Sequence, residues 1–258
     1  MQIARVAASL PRHPELRTPA DLRSGLDAAL ETGQREGAAW EAAHDGAWTP
    51  AELAAFAQAT VPHPPTDIHG ELSRMHRMQA HASPDAKRAA EWLSSTGQPS
   101  GKLDPASWWT QVLTAYGAAA IAAHGPTAGA RDAAFAADLV QRTLRINDDA
   151  TFAAKYALPE RRPYTYAKGA TPPSGGWAGQ DLMSHPSGHT SRAFATALVL
   201  GRLWPSHANE LLDVARGVAH SRLLEDMHFP HDVELGARIG ATIASVTLAG
   251  AGRLPVVD

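Results

Sequence analysis

Met183, Ser184, His185, Pro186, Ser187, Gly188 and His189 follow one another in the chain, and Thr190 and a long apolar run follow them. Pro186 and Gly188 force a tight, irregular backbone. The run through Ala193, Phe194, Ala197, Leu198, Val199 and Leu200 reads as a helix that is apolar on nearly every face and therefore central. Ser187 and His189 stand at its N-terminus. Such an end offers an anion unpaired N–H groups and the positive pole of the helix dipole, and the histidine adds a proton donor. A plain turn with an N-cap would explain the same tetrapeptide, so the chemistry depends on what other segments bring.

Three further segments bring charge. The stripe Ala208, Leu211, Ala215, Val218 continues by one turn to Arg222. An arginine on a buried face needs an anionic partner or several acceptors, unless it snorkels out at the helix end. Asp232 shares an inward stripe with Gly236, Ile239, Ile243 and Val246, and His228 lies just ahead of it. A carboxylate there can orient an imidazole through a hydrogen bond, although an N-cap aspartate beside a surface histidine gives the same pattern. Lys155 sits in a short helix expected over 147–158, and Arg162 in the proline-bounded breaker that follows. Together these ends offer three cations, two histidines and one carboxylate. Phosphate suits such a set, because its oxygens accept from arginine forks and from helix N-terminal N–H groups.

The spacing is specific when taken jointly. Lys155 is followed after six residues by Arg162 and Pro163; then come Pro186, Ser187, Gly188 and His189; then Ser221 and Arg222, five residues, His228, three residues and Asp232. In order and internal spacing this resembles the three-part signature of the phosphatidic-acid-phosphatase type 2 superfamily, which includes the bacterial class A non-specific acid phosphatases and the vanadium haloperoxidases. The resemblance covers Lys155 to about Ala249. It implies an all-α helical bundle with a metal-free phosphate site. His228 is then the nucleophile that forms a phosphohistidine, Asp232 holds its ring, and His189 protonates the leaving oxygen and later activates water. Lys155, Arg162, Arg222, Ser187 and the Gly188 N–H bind the phosphoryl oxygens. No cofactor is implied, with vanadate as an inhibitor or, in the haloperoxidase branch, as the cofactor itself. Glu225 and Asp226 depart from the family's usual surroundings of the nucleophile. They are expected to lower the positive potential at the mouth or to pair with Arg161 or Lys168, and His185 and Tyr164 to line the leaving-group side.

The elements that must position these groups read as helices throughout. Thr18 and Pro19 lead into a helix over 21–44 with Leu22, Leu26 and Leu30 on one stripe. Thr49, Pro50 and Glu52 make a capping box with proline at the first helical position, and that helix should stop before Pro62. Ser83-Pro84 and Asp104-Pro105 repeat the start signal, and the helix from Asp104 should end near Gly125-Pro126. A helix is expected over 130–146 and a long loop over 159–187, then helices after Pro186, from Ser206 to about Asp226, and from Pro230. No strand pattern competes, so the expected fold is a single all-α domain over 1–258, with residues 1–145 carrying no recognised motif and 146–250 the signature core. His63, His69, His76 and His81, with Asp67 and Glu71, are better read as a solvated face than as metal ligands, because no pair has a zinc spacing.

The 258 residues are 44% hydrophobic, carry a net charge of −3 and include no cysteine. This composition supports one sizeable core and argues against nucleic acid as a partner and against disulfide or thiol chemistry. No run reaches the roughly 20 apolar residues of a membrane span, so no integral membrane association is expected. Residues 1–11 lack the apolar core of a signal peptide. The expected location is periplasmic or secreted if a signal was removed, otherwise cytoplasmic. The expected partner is a small-molecule phosphate ester, and a homo-oligomer is compatible with the sequence. The leading function is a soluble, metal-independent phosphomonoesterase. Its rivals are a vanadium-dependent haloperoxidase, whose known members resemble longer chains, a metal-dependent phosphohydrolase built on His231 and Asp232, and a non-catalytic helical binding module.

Overall fold

A computed structural model describes residues 10, 12, 16–80, 82–95, 107–166 and 180–257. Among these the protein is all-α, with nine helices: α1 Ala20–His44, α2 Pro50–Ala59, α3 Ile68–Gln79, α4 Pro84–Ser95, α5 Trp108–His124, α6 Pro126–Ala157, α7 Gly188–Leu203, α8 Ala208–Leu224 and α9 Pro230–Ala249. The only extended pairing among the described residues is an isolated bridge between Glu160 and Met183. None of these helices is long and apolar enough to cross a membrane.

Helix starts follow the local signals. Thr49 accepts from the Glu52 N–H while Glu52 reaches back to the Thr49 N–H at 2.6 Å, which satisfies two donors that the helix leaves unpaired. Asp67 caps α3 by accepting from Gly70 N at 2.9 Å. The Asp104-Pro105 start lies outside the described residues, as do His81 and residues 167–179 of the long loop, Lys168 among them.

One expectation fails instructively. The two helices expected over 130–146 and 147–158 are a single 32-residue helix, α6. Asn147 and Asp148 resemble a helix start because their side chains compete for backbone donors. Here both are occupied elsewhere: Ser191 Oγ donates to Asn147 Oδ1, and Arg192 Nε donates to Asp148 Oδ1 at 2.6 Å. With their side chains held by α7, the helix runs through them and carries Lys155 in its last turn.

The core is centred on α7, whose Ala193, Phe194, Ala197, Val199 and Leu200 are buried. It packs against α6, α8 and α9, and α1 lies along α9. The approach of α7 and α9 is close enough to exclude a methyl group. A Cβ on Gly236 would stand 2.5 Å from the Ser187 carbonyl oxygen, and one on Gly240 would stand 2.4 Å from that of Ser191. Since the obstacle is backbone, a helix must move. Gly236→Ala is expected to destabilise the protein by about 1–3 kcal/mol, measured as a lower urea midpoint with an unchanged slope.

Candidate active site

Four helix ends converge on one buried point. The C-terminal turns of α6 and α8 bring Lys155 and Arg222, and the N-terminal turns of α7 and α9 bring Ser187, Gly188, His189 and Asp232. Arg162 enters from the segment after α6, and His228 from the connection between α8 and α9. The dipoles suit this use: the two N-termini point positive ends at the site, and the cations sit at the C-termini.

The α7 start is built by Ser187. Its side chain caps the helix, accepting from Thr190 N at 3.4 Å and meeting Thr190 Oγ1 at 2.9 Å. The Ser187 N–H donates to the Asp232 carbonyl at 3.0 Å, which ties the first turn of α7 to the first turn of α9. Two glycines in α9 permit this seam, so the backbone that carries His189 and the backbone that carries Asp232 are held as one unit.

His228 is 1% exposed. Arg162 NH1 lies 3.1 Å from its Nε2 and also donates to the Met227 carbonyl at 2.7 Å. A guanidinium only donates, so His228 Nε2 holds a lone pair and the ring proton is on Nδ1. That nitrogen lies 3.5 Å from Asp232 Oδ2, close enough to feel its charge, and makes no hydrogen bond among the described residues. Asp232 is itself over-determined. Its Oδ2 accepts from Ser184 Oγ at 2.6 Å and from Phe229 N at 2.9 Å, while its Oδ1 faces His185 Nδ1 at 3.0 Å. Its pKa lies well below the usual carboxylate range, because the charge of His231 and the close ring nitrogens of His185, His228 and His231 outweigh the burial that opposes them.

The cations crowd one another. Burial, then Arg162, pulls the Lys155 pKa down to about 7. Burial, then Arg222, pulls Arg162 down to about 10. His189 is half-buried and held well below the ordinary histidine value by burial, then Arg222, Arg192, His228 and Arg162. Burial and Arg162 do the same to His228. Such mutual depression is the signature of a site arranged for an anion.

Several neighbours sit where the sequence did not put them. Lys155 Nζ donates to the carbonyls of Met183, Ser184 and Pro186, at 2.6 Å, 3.2 Å and 2.5 Å. Its three protons therefore shape the turn before α7. Glu225 pairs with Arg222 NH1 at 2.9 Å and not with Arg161. Arg161 instead donates to the Thr165 carbonyl and stacks over Tyr166, and Asp226 accepts from Gln79 Nε2 at 2.8 Å. His185 does not line a leaving-group side, since both its ring nitrogens are occupied, by Asp232 and by the Pro62 carbonyl at 3.0 Å. Tyr164 is buried and donates to Asp181 Oδ1. His63, His69 and His76 are exposed, as a solvated face requires, but Glu71 turns inward to His231.

Glu160 and His231 were not singled out as a pair, although His231 Nε2 lies 3.1 Å from Glu160 Oε2. The only signal was the adjacency of His231 to Asp232. The rival built on His231 and Asp232 needs further ligands from elsewhere in the chain, and Glu160 and His185 do converge on that pair.

Every residue of the predicted site lies within residues 140–254, the span matched by the family model of the PAP2 superfamily.

Proposed function

Residues 140–254 belong to the PAP2 superfamily, and from that premise we propose that the protein is a phosphatase that hydrolyses phosphomonoesters through a phosphohistidine on His228. The observation that carries this reading is the state of that imidazole. It is buried and held toward its neutral form by burial and Arg162, with Nε2 3.1 Å from Arg162 NH1 and Nδ1 3.5 Å from Asp232 Oδ2. Substrate enters with its phosphoryl oxygens toward Arg162, Arg222 and the start of α7. Arg162 NH1 shifts from Nε2 to an oxygen and frees the lone pair for in-line attack. The Nε2–P bond forms as the P–O bond to the leaving group breaks, and His189 gives that oxygen its proton. Asp232 balances the positive charge that develops on the His228 ring. Water then attacks phosphorus, His189 takes its proton, and phosphate leaves with His228 neutral again. Lys155 serves by fixing the turn that carries Ser187 and His189. Vanadate enters this reading as an inhibitor of the same site.

The test is a phosphate-release screen over aryl, sugar and nucleotide monoesters, with acid quenching to trap an acid-labile phosphoenzyme. Release without any trapped phosphoenzyme, under conditions where its breakdown is rate-limiting, contradicts the mechanism.

The pH profile follows from the depressed histidines. Attack needs His228 neutral, and its lowered pKa moves the acid limb down. Leaving-group protonation needs His189 charged, and its lowered pKa moves the alkaline limb down as well. Since kcat/KM reports the free enzyme, its maximum is expected below pH 6.5; a maximum in alkali contradicts these roles. Glu225 competes with substrate for Arg222. In Glu225→Gln the inhibition constant of inorganic phosphate is expected to fall about fivefold, the equivalent of about 1 kcal/mol for one hydrogen bond.

A further inference from the structure

On the side of Asp232 away from His228, Glu160 and His185 from the loop meet His231 and Asp232 from the first turn of α9. One ligand-type atom from each lies within 4.8 Å of the others. His185 Nδ1 is 3.0 Å from Asp232 Oδ1, and His231 Nε2 is 3.3 Å from the same oxygen. Glu160 Oε2 is 3.1 Å from His231 Nε2 and 4.0 Å from His185 Nδ1. Around a tetrahedral ion with bonds of about 2.0–2.1 Å the ligand atoms stand about 3.3–3.4 Å apart. Four of the six pairs stand 3.0–4.0 Å apart and all lie within 4.8 Å, so small side-chain shifts would bring the cluster to that spacing.

Hydrogen-bond accounting points the same way. A carbonyl only accepts, so His185 Nε2 at 3.0 Å from the Pro62 oxygen carries a proton. Its Nδ1 then turns a lone pair toward Asp232 unless a second proton is added. His231 Nδ1 donates to Glu71 Oε2 at 2.9 Å, which leaves Nε2 facing Glu160 and Asp232 on the same terms. Two imidazole nitrogens and two carboxylate oxygens face one another, and they require positive charge between them. Two extra protons supply it in two places; one divalent ion supplies it at the centre. Independently, Glu160 Oε1 is buried with no hydrogen-bond partner among the described residues. The outward nitrogen of each ring is held by a carboxylate or a backbone carbonyl, which is how metal-bound imidazoles are oriented.

We propose that Glu160, His185, His231 and Asp232 form a closed structural site for a divalent transition-metal ion of the zinc class. Two nitrogens and two oxygens suit zinc better than calcium or magnesium. Four protein ligands leave no position open for water, and the side chains are at most 13% exposed. Asp232 serves both sites without conflict: Oδ1 faces this cluster, while Oδ2 faces Ser184, Phe229 N and His228. The ion would pin the loop that carries Arg162 to the start of α9, and it stands whether or not His228 forms a phosphoenzyme.

The test uses the full chain, stripped of metal and dialysed against micromolar free zinc, with bound metal counted by elemental analysis. One zinc per chain is expected, and cobalt(II) in its place should give the intense visible bands of a tetrahedral centre. Glu71→Gln should weaken zinc binding about 10–100-fold, and the double variant Glu160→Gln, His231→Gln should lose stoichiometric binding. Wild-type protein that binds no zinc, a cobalt spectrum of the weak octahedral kind, or full zinc retention in the double variant overturns the proposal. The wild-type measurements decide the matter if the double variant does not fold.

Discussion

His228→Ala is expected to show no burst and no turnover on any phosphomonoester. The other groups of the site have other work: Ser187 Oγ caps α7 against Thr190, and His189 moves the protons. Lys155 Nζ is committed to three carbonyls, the arginines only donate, and Asp232 has both oxygens engaged. Losing the nucleophile of a covalent catalyst costs on the order of 10⁶ in turnover, so the residual rate should be that of general anion binding alone. Aryl and alkyl substrates should both lose the burst, because attack by His228 is part of the step in which either leaving group departs. Rapid-quench kinetics on p-nitrophenyl phosphate and an alkyl phosphate check both points. A burst that survives in His228→Ala would show that the nucleophile lies elsewhere.

His189→Ala is expected to separate the two substrates. An alkoxide departs badly unless protonated, whereas p-nitrophenolate departs unaided. General acid catalysis contributes roughly a hundred- to ten-thousand-fold, and this loss should fall on the first step with alkyl phosphates. With p-nitrophenyl phosphate the burst should persist and then stall, because the same ring activates water for the second step. Acid-labile phosphoenzyme should therefore accumulate. Equal slowing of the first step for both substrates would mean that His189 binds the phosphoryl group and transfers no proton.

What was legible in the chain was local or periodic. The turn at Pro186 and Gly188 and the helix after it are written in adjacent residues. The inward faces of Arg222 and Asp232 follow from the period of α8 and α9, which the structure reproduces within a turn. What escaped depends on contacts across the fold. Asn147 looks like a helix start until Ser191 engages it from another helix. His231 meets Glu71 and Glu160 across sequence separations of 160 and 71 residues, and no spacing rule spans such distances. The three carbonyls that Lys155 donates to were not legible, because a side-chain pattern is blind to backbone acceptors. Glu225 had several cations to choose from, and only the turn that ends α8 selects Arg222.

The crowding of Lys155, Arg162 and Arg222 at four helix ends also sets a cost for the fold itself. Lys155 has a pKa of about 7 folded against 10.5 free, so between those values the unfolded chain binds more protons and stability rises with pH. His189 and His228 are depressed below 6.5, so beneath that pH the unfolded chain again takes up protons first and stability falls. The fold is thus weakest on the acidic side, where its chemistry is expected to run fastest. An oxyanion reverses part of that penalty, because a ligand that binds only the folded chain at a hundred times its Kd adds about 2.7 kcal/mol. Substrate is therefore a folding cofactor as well as a reactant, and the protein trades resting stability for a charge set in place before the ester arrives.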